Sequence, residues 1–491
     1  MTSPDQSRLP IVEAIRDYLG VGRIHMPGHK GGTGVAEPFL SLVGYGAFQA
    51  DVVGVEGLDD FHAPHGCIAE ALALAAEAWG ADHTFFLVNG TSCGLHALVL
   101  ALCGSGDELI IPRNVHRSVV GALILSGARP VYMEPDLEES FGLPLGVSPR
   151  TVEKTVAQHP EAKGVLIVSP TYYGVIPDVH AIAEIVHAHG LPLLVDEAHG
   201  AHLGFHPGLP PSSLQQGADA VAQGVHKTAG SFSQGSILHL QGDRVPVERV
   251  RGYLRILQTT SPSYLILGSL DAARFLLANE GHNRLQRVLN MAARITAEVG
   301  TMERTGTGVR CLNPDFLQGP FRTDPTRIVI NVRETGLSGH KVERVLRYEH
   351  GVQIELSDFS NIVLLLSPGD TPETIDAFLT AFKQVISGAP GASPTPAREA
   401  GLAGGLLPPT PPMVLIPAHA FGRPARRVRL DEAAGLVSAE MVAAYPPGVP
   451  VIYPGERLTP PVIAYLARAR DAGVHLQGAE DGRLEFINVI D

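Results

Sequence analysis

From Thr84 onward the chain alternates short apolar runs with longer segments of helical spacing, and this pattern restricts the fold more than any other feature. "TFFLV" (84–88) precedes "SCGLHALVLALCG", and "ELIIP" (108–112) precedes "VHRSVVGALILSG". "RPVYM" (129–133) precedes "SPRTVEKTVAQH", "GVLIV" (164–168) precedes "DVHAIAEIVHAHG", and "LPLLV" (191–195) ends the series. Runs of β-formers bounded by Gly, Pro and Asp read as buried strands. Strands alternating with helices imply βαβ units and a mainly parallel sheet, so an α/β domain is expected. Two more runs, "DAVAQG" (219–224) and "SILHLQG" (236–242), bring the expected strands to seven. The link between them is short for a parallel crossover, so the second should pair antiparallel.

Beyond this region a helix is expected over 263–299, followed by a smaller α+β domain. Its strands would be "RIVINV" (327–332), "VQIEL" (352–356) and "NIVLLLS" (361–367), with helices near 339–350 and 371–386. A Pro/Gly/Ala-rich stretch then reads as a linker. The expected boundaries are an N-terminal arm 1–55, a large domain 56–300, a small domain 301–388, a linker 389–412 and a C-terminal domain 413–491. No internal repeat of fixed period is present.

A net charge of −13 argues against nucleic acid or an anionic membrane as partner. No apolar run approaches the roughly 18 residues of a membrane span, and the first twenty residues lack the basic-then-apolar pattern of a secretory leader. Cys67, Cys93, Cys103 and Cys311 show no C-x-x-C spacing, as expected for thiols in a reducing cytoplasm. The basic residues are mostly arginine. Only Lys30, Lys154, Lys163, Lys227, Lys341 and Lys383 could supply a primary amine.

Ligands of open α/β sheets gather at the carboxyl ends of the strands, so the residues following each run are the candidates for a site. After the first comes "NGTS" (89–92), a turn into a helix with an anion site in Thr91, Ser92 and the free N–H groups; in isolation a plain N-cap explains it better. After the second comes His116 at a helix start, able to stack on a flat ligand or simply to cap. After the fifth comes Asp196, a carboxylate that needs a cation or hydrogen bonds if buried. Asp196, His199 and His202 could bind a metal, but no second cluster has metal spacing, and none is expected. Last comes Lys227 in "GVHKTAGSFSQGS" (224–236); a buried lysine favours the neutral, nucleophilic amine. An anion cradle, a ring stacker, a strand-end carboxylate and a lone lysine are together the parts that hold pyridoxal phosphate.

The segments "HMPGHKGG" (25–32), "LDDFHAPHG" (58–66), "PRNVHRS" (112–118), "PTYYG" (170–174), "VDEAHGAH" (195–202), "HKTAGSFSQGS" (226–236), "TTSPSY" (259–264) and "AYPPGVPVIYPGE" (444–456) extend this set. With them the chain resembles the pyridoxal-phosphate-dependent ornithine/lysine/arginine decarboxylases of aminotransferase-like fold (type I), in particular the short biosynthetic arginine decarboxylases. The resemblance implies a cytoplasmic lyase that decarboxylates a basic amino acid, arginine first, lysine or ornithine otherwise. It implies a homodimer with shared active sites; higher assembly is left open. It also implies roles: Lys227 binds the cofactor aldehyde, His226 flanks it, Asp196 contacts the ring nitrogen, His199 joins the catalytic set and His116 stacks on the ring. Thr91, Ser92 and the backbone of Cys93 would hold the phosphate, with Thr260 and Ser261 reaching it from the partner subunit. The substrate's distal cation needs a carboxylate, for which Glu456, Glu355, Asp59 and Asp60 are candidates. Rival readings are an aminotransferase, using Arg327 or Arg333 to clamp a carboxylate, and a catalytically silent regulatory homologue. The basic run "GRPARRVRL" (422–430) reads as a solvated or interdomain face.

Overall fold

The computed structural model describes residues 5–317, 319–389, 408–445 and 449–491. Most of the expected linker, residues 390–407, lies outside the described residues.

Helix α1 (Pro10–Tyr18) opens the chain and α2 (Cys67–Trp79) precedes the sheet. The strands are β1 (His83–Leu87), β2 (Glu108–Pro112), β3 (Arg129–Met133), β4 (Val165–Val168), β5 (Leu193–Glu197), β6 (Ala220–Gln223) and β7 (Ser236–Leu240). Among the described residues they form one seven-stranded sheet in the order β1-β7-β6-β5-β4-β2-β3. Between β1 and β5 lie the helices α3 (Gly90–Leu102), α4 (Arg117–Ser126), α5 (Pro149–Gln158) and α6 (Val179–Ala188). β2 runs parallel to β3 and β4, while β7 runs antiparallel to both β1 and β6. Every residue of β4, β5, β6 and β7 is buried, as expected of strands covered on both faces. The edge strand β1 mixes exposed and buried positions.

The chain divides into two compact units, residues 1–101 with 195–286, and residues 102–194 with 287–491. In the first unit α7 (Val247–Leu257) and α8 (Tyr264–Arg304) follow β7, although the distal half of α8 belongs to the second unit. Arg274 and Asp271 of α8 form a fully buried ion pair 2.7 Å long. Asp271 accepts the backbone N–H of Ile11 and Arg274 donates to the carbonyl of Gln6, so the pair pins the arm that leads into α1. Breaking such a buried pair one-sidedly costs about 3–5 kcal/mol.

The second unit contains an antiparallel four-stranded sheet of β8 (Arg310–Cys311), β9 (Arg327–Asn331), β10 (Leu356–Ser357) and β11 (Asn361–Leu365), in the order β8-β9-β11-β10. It packs with α9 (Gly339–His350) and α10 (Pro372–Ser387) around Val342, Leu346, Phe378, Phe382, Ile328 and Ile362. The expected strand over 352–356 shrinks to two residues, because Gln353 and its neighbours form a loop after the left-handed Gly351 that ends α9.

After the linker come β12 (Ala425–Arg429), β13 (Val442–Tyr445), β14 (Val449–Ile452), α11 (Pro460–Asp471), β15 (His475–Gln477) and β16 (Phe486–Ile490). They enclose a core of their own that includes Val428, Val451, Leu466, Leu476 and Val489. The basic run forms β12, and its arginines meet acids: Arg426 faces Asp491, Arg427 faces Asp481 and Arg429 faces Asp431. The run expected to form a solvated or interdomain face is therefore locally neutralised.

Candidate active site

Four of the predicted residues meet in the first unit through one hydrogen-bonded loop system. β5 ends in Asp196-Glu197, and the pleat sends the two carboxylates to opposite faces. Glu197 accepts from the Ser213 N–H at 2.8 Å, the Ser213 hydroxyl at 2.6 Å and Gln223 Nε2 at 2.6 Å. Burial nevertheless pushes its carboxyl up to about 7. Asp196 is 4% exposed and accepts the Ala198 N–H at 3.2 Å. Burial raises its pKa, with the Lys227 charge and the Ala198 N–H opposing. It is a carboxylate held where a nearby cation would be strongly favoured.

Lys227 lies in a single helical turn, Val225–Thr228, immediately after β6. Gly224 makes that turn possible. Its N–H donates to the Ala198 carbonyl, its own carbonyl accepts the Lys227 N–H, and a Cβ there would meet the Ala198 oxygen at 2.6 Å and Lys227 Cδ at 3.3 Å. Lys227 Nζ lies 3.1 Å from His199 Nε2. His226 sends Nδ1 to the Gly235 carbonyl at 2.9 Å. A carbonyl only accepts, so Nδ1 carries the proton and Nε2 keeps its lone pair in the neutral ring. Burial lowers the pKa of His226, the Gly235 bond opposes this, and the Lys227 charge adds to it.

The same loop reaches the proposed anion cradle. Gly90, first residue of α3, donates its N–H to the carbonyl of Gln234, next to the Gly235 that holds His226. Half-exposed Thr91 and Ser92 supply hydroxyls beside the open N–H groups of that first turn, a donor set suited to phosphate. Cys93 is buried and its thiol is pushed up to about 12, so it offers backbone and not a nucleophile. Thr260 and Ser261 lie exposed in the loop before α8. Asp59, by contrast, uses its carboxylate on backbone N–H groups of Asp60, His65, Gly66 and Ile68, which ties down the start of α2.

In the second unit His116 is the N-cap of α4 and accepts the Ser118 N–H on Nδ1 at 3.2 Å. An N–H only donates, so the neutral ring carries its proton on Nε2. Glu355 is exposed and near the buried Arg327, whose Nη1 donates to the Tyr172 carbonyl. Glu456 is fully buried and bonded to Arg113. Sequence reasoning assigned no role to Arg113, Glu197 or Gly224. Their signals were position only: three residues before His116, beside Asp196, and three before Lys227.

The family described as Orn/Lys/Arg decarboxylase, major domain, matches residues 9–374, and its C-terminal domain matches residues 407–482. The chain belongs to the Orn/Lys/Arg decarboxylase family. An arginine decarboxylase of Bacillus subtilis (strain 168) is 40% identical over 470 residues, covering 95% of this chain and 94% of the relative. One from Bacillus anthracis is 37% identical over 470 residues, with the same coverage. The inducible lysine decarboxylase of Escherichia coli (strain K12) is more distant at 26%, covering 96% of this chain and 78% of that protein. The solved E. coli constitutive lysine decarboxylase superposes with a TM-score of 0.84 at 22% identity, covering 99% of this chain and 82% of that one. At that identity it shows the shared fold alone. This decarboxylase therefore has the type I fold expected from its alternating strands and helices, with a C-terminal domain added.

Proposed function

We propose that this decarboxylase converts L-arginine to agmatine and CO₂ with pyridoxal 5′-phosphate as cofactor, in the cytoplasm. The observation that carries the choice of arginine is the 37–40% identity to Bacillus arginine decarboxylases over 95% of the chain, against 26% for lysine decarboxylases. The residues present fit the cofactor. Lys227 offers an amine, Asp196 a buried carboxylate that favours a cationic partner, and the start of α3 a set of anion donors.

When bound, pyridoxal phosphate supplies an aldehyde for covalent capture of an amine and a protonated ring that accepts the electron pair left by CO₂. Asp196 would keep the ring nitrogen protonated. Thr91, Ser92 and the Cys93 N–H would hold the phosphate, joined by Thr260 and Ser261 of a partner subunit in a homodimer. His116 would lie against the ring face. In the net reaction the Cα–carboxylate bond breaks and Cα takes one proton. Lys227 or His226 delivers that proton, and His199 holds the lysine amine in place. Glu355 remains the candidate carboxylate for the guanidinium. In this reading residues 56–300 bind the cofactor, 301–388 and 413–491 form the two smaller domains, and 1–55 form an arm.

The test is a product assay with arginine, lysine and ornithine side by side and no keto acid present. Agmatine and CO₂ from arginine, at a kcat/KM well above the other two, are expected. Turnover that requires a keto acid acceptor would instead identify an aminotransferase, and a colourless, inert protein a regulatory homologue.

A further inference from the structure

The turn that carries His116 is held from both ends by the C-terminal domain. Arg113, three residues before His116, is 3% exposed and sends Nη2 to Glu456 Oε2 at 3.0 Å and to the Val451 carbonyl at 3.0 Å. Its guanidinium carbon stands 3.9 Å from the ring centre of Tyr453 and 5.1 Å from that of Tyr132, a cation enclosed by two aromatic rings. Glu456 also accepts the Tyr453 N–H at 2.8 Å. Gly455 aims Glu456 inward: its φ is +90°, and a Cβ would meet the Leu415 carbonyl oxygen at 2.2 Å. On the other side of His116, Arg117 Nη1 donates to Gln477 Oε1 at 3.1 Å. The Arg113 N–H is bonded to Met133 of β3, so the backbone between the ties has little freedom.

A fully desolvated carboxylate already paired with arginine is poorly placed to bind a substrate cation. We infer that Glu456, through Arg113 and with the second tie from Gln477 to Arg117, is a positioning residue that sets the turn presenting His116 to the cofactor. The C-terminal domain then acts on the reaction without touching a reacting atom. The inference rests on the reading of His116 as the residue that lies against the cofactor ring.

The test measures equilibrium binding of pyridoxal phosphate to the apo chain, by visible absorbance and circular dichroism, with kcat and KM for arginine alongside. The variants are Glu456→Gln, Gln477→Ala, His116→Ala and the combinations of the first two with His116→Ala. Glu456→Gln keeps the shape and an acceptor for Tyr453, and half-buried Gln477 gives a variant that tests the second tie if the first fails to fold. Glu456→Gln should weaken cofactor binding by about 10–100-fold, the scale of one lost hydrogen bond to a charged group, with KM for arginine little changed. Gln477→Ala should do the same by a smaller factor. Both effects should vanish in the His116→Ala background, which a merely structural role would not produce. A raised KM with unchanged cofactor affinity would overturn the inference and make Glu456 a substrate contact. Equal losses with and without His116, or no loss in either variant, would also overturn it. Unchanged binding in His116→Ala alone would remove the stacking reading and this inference with it.

Discussion

The amine of Lys227 and Nε2 of His199 stand 3.1 Å apart, nitrogen to nitrogen, with Asp196 close enough to Lys227 for their charges to interact. One proton can lie between two such nitrogens. Whichever of the two carries it, the hydrogen bond orients the lysine. The arrangement gives the lone lysine of "GVHKTAGSFSQGS" a partner other than a carboxylate.

Lys227→Ala should abolish both the visible absorbance of the lysine-linked cofactor and turnover, while far-ultraviolet circular dichroism stays unchanged. No other residue of the set supplies a primary amine. A variant that keeps the lysine-linked band and its activity would remove the lysine from its proposed role.

Asp196→Asn preserves shape and removes charge. In the proposed role the ring nitrogen would lose its counter-ion, and loss of one partner from a buried charge pair costs about 2–5 kcal/mol. Cofactor Kd should rise by at least roughly tenfold, with kcat falling as well. Titration of the apo protein with pyridoxal phosphate reads the first effect directly.

Gly224→Ala places a methyl group 2.6 Å from the Ala198 carbonyl oxygen and 3.3 Å from Lys227 Cδ. Overpacking of this kind costs about 1–3 kcal/mol. The turn must shift, so a lower melting temperature and a kcat loss larger than any KM change are expected from paired thermal and kinetic measurements.

His239 on β7 is completely buried and bonded to Thr84 of β1 at 2.8 Å, and burial drives its pKa down to about 3. The unfolded chain takes up this proton near pH 6.5 and the folded chain does not until about pH 3. The contribution is therefore intact above pH 6.5 and is lost as pH falls toward 3. At pH 5 the loss amounts to about 2 kcal/mol. His239→Asn should flatten this part of the stability–pH curve relative to the wild type in denaturant melts at pH 5 and pH 7.

Local chemistry was legible wherever a strand or helix is decided by its own residues. The runs "ELIIP" and "RPVYM" coincide with β2 and β3, and the expected helix over 339–350 coincides with α9, capped by Ser338. The antiparallel β7 followed from a connection too short to cross over. "VQIEL" failed because alternation in a five-residue window cannot report whether a neighbour offers a ladder, and of its residues only Leu356 lies in the paired strand.

For the site, motif order along the chain pointed to Asp196 at the end of one strand and Lys227 just after another, since the carboxyl ends of strands share one edge of a sheet, while His226 entered through the family resemblance. Sequence spacing could not reveal that Gly90 bonds to Gln234, that Glu197 turns away to Ser213, or that Glu456 is bound to Arg113 across 343 residues of chain. Strand and helix identity depends on neighbours a few residues away, which the sequence alone determined. The partner of a buried charge depends on which distant segment excludes water around it, and that was decided only by the tertiary structure.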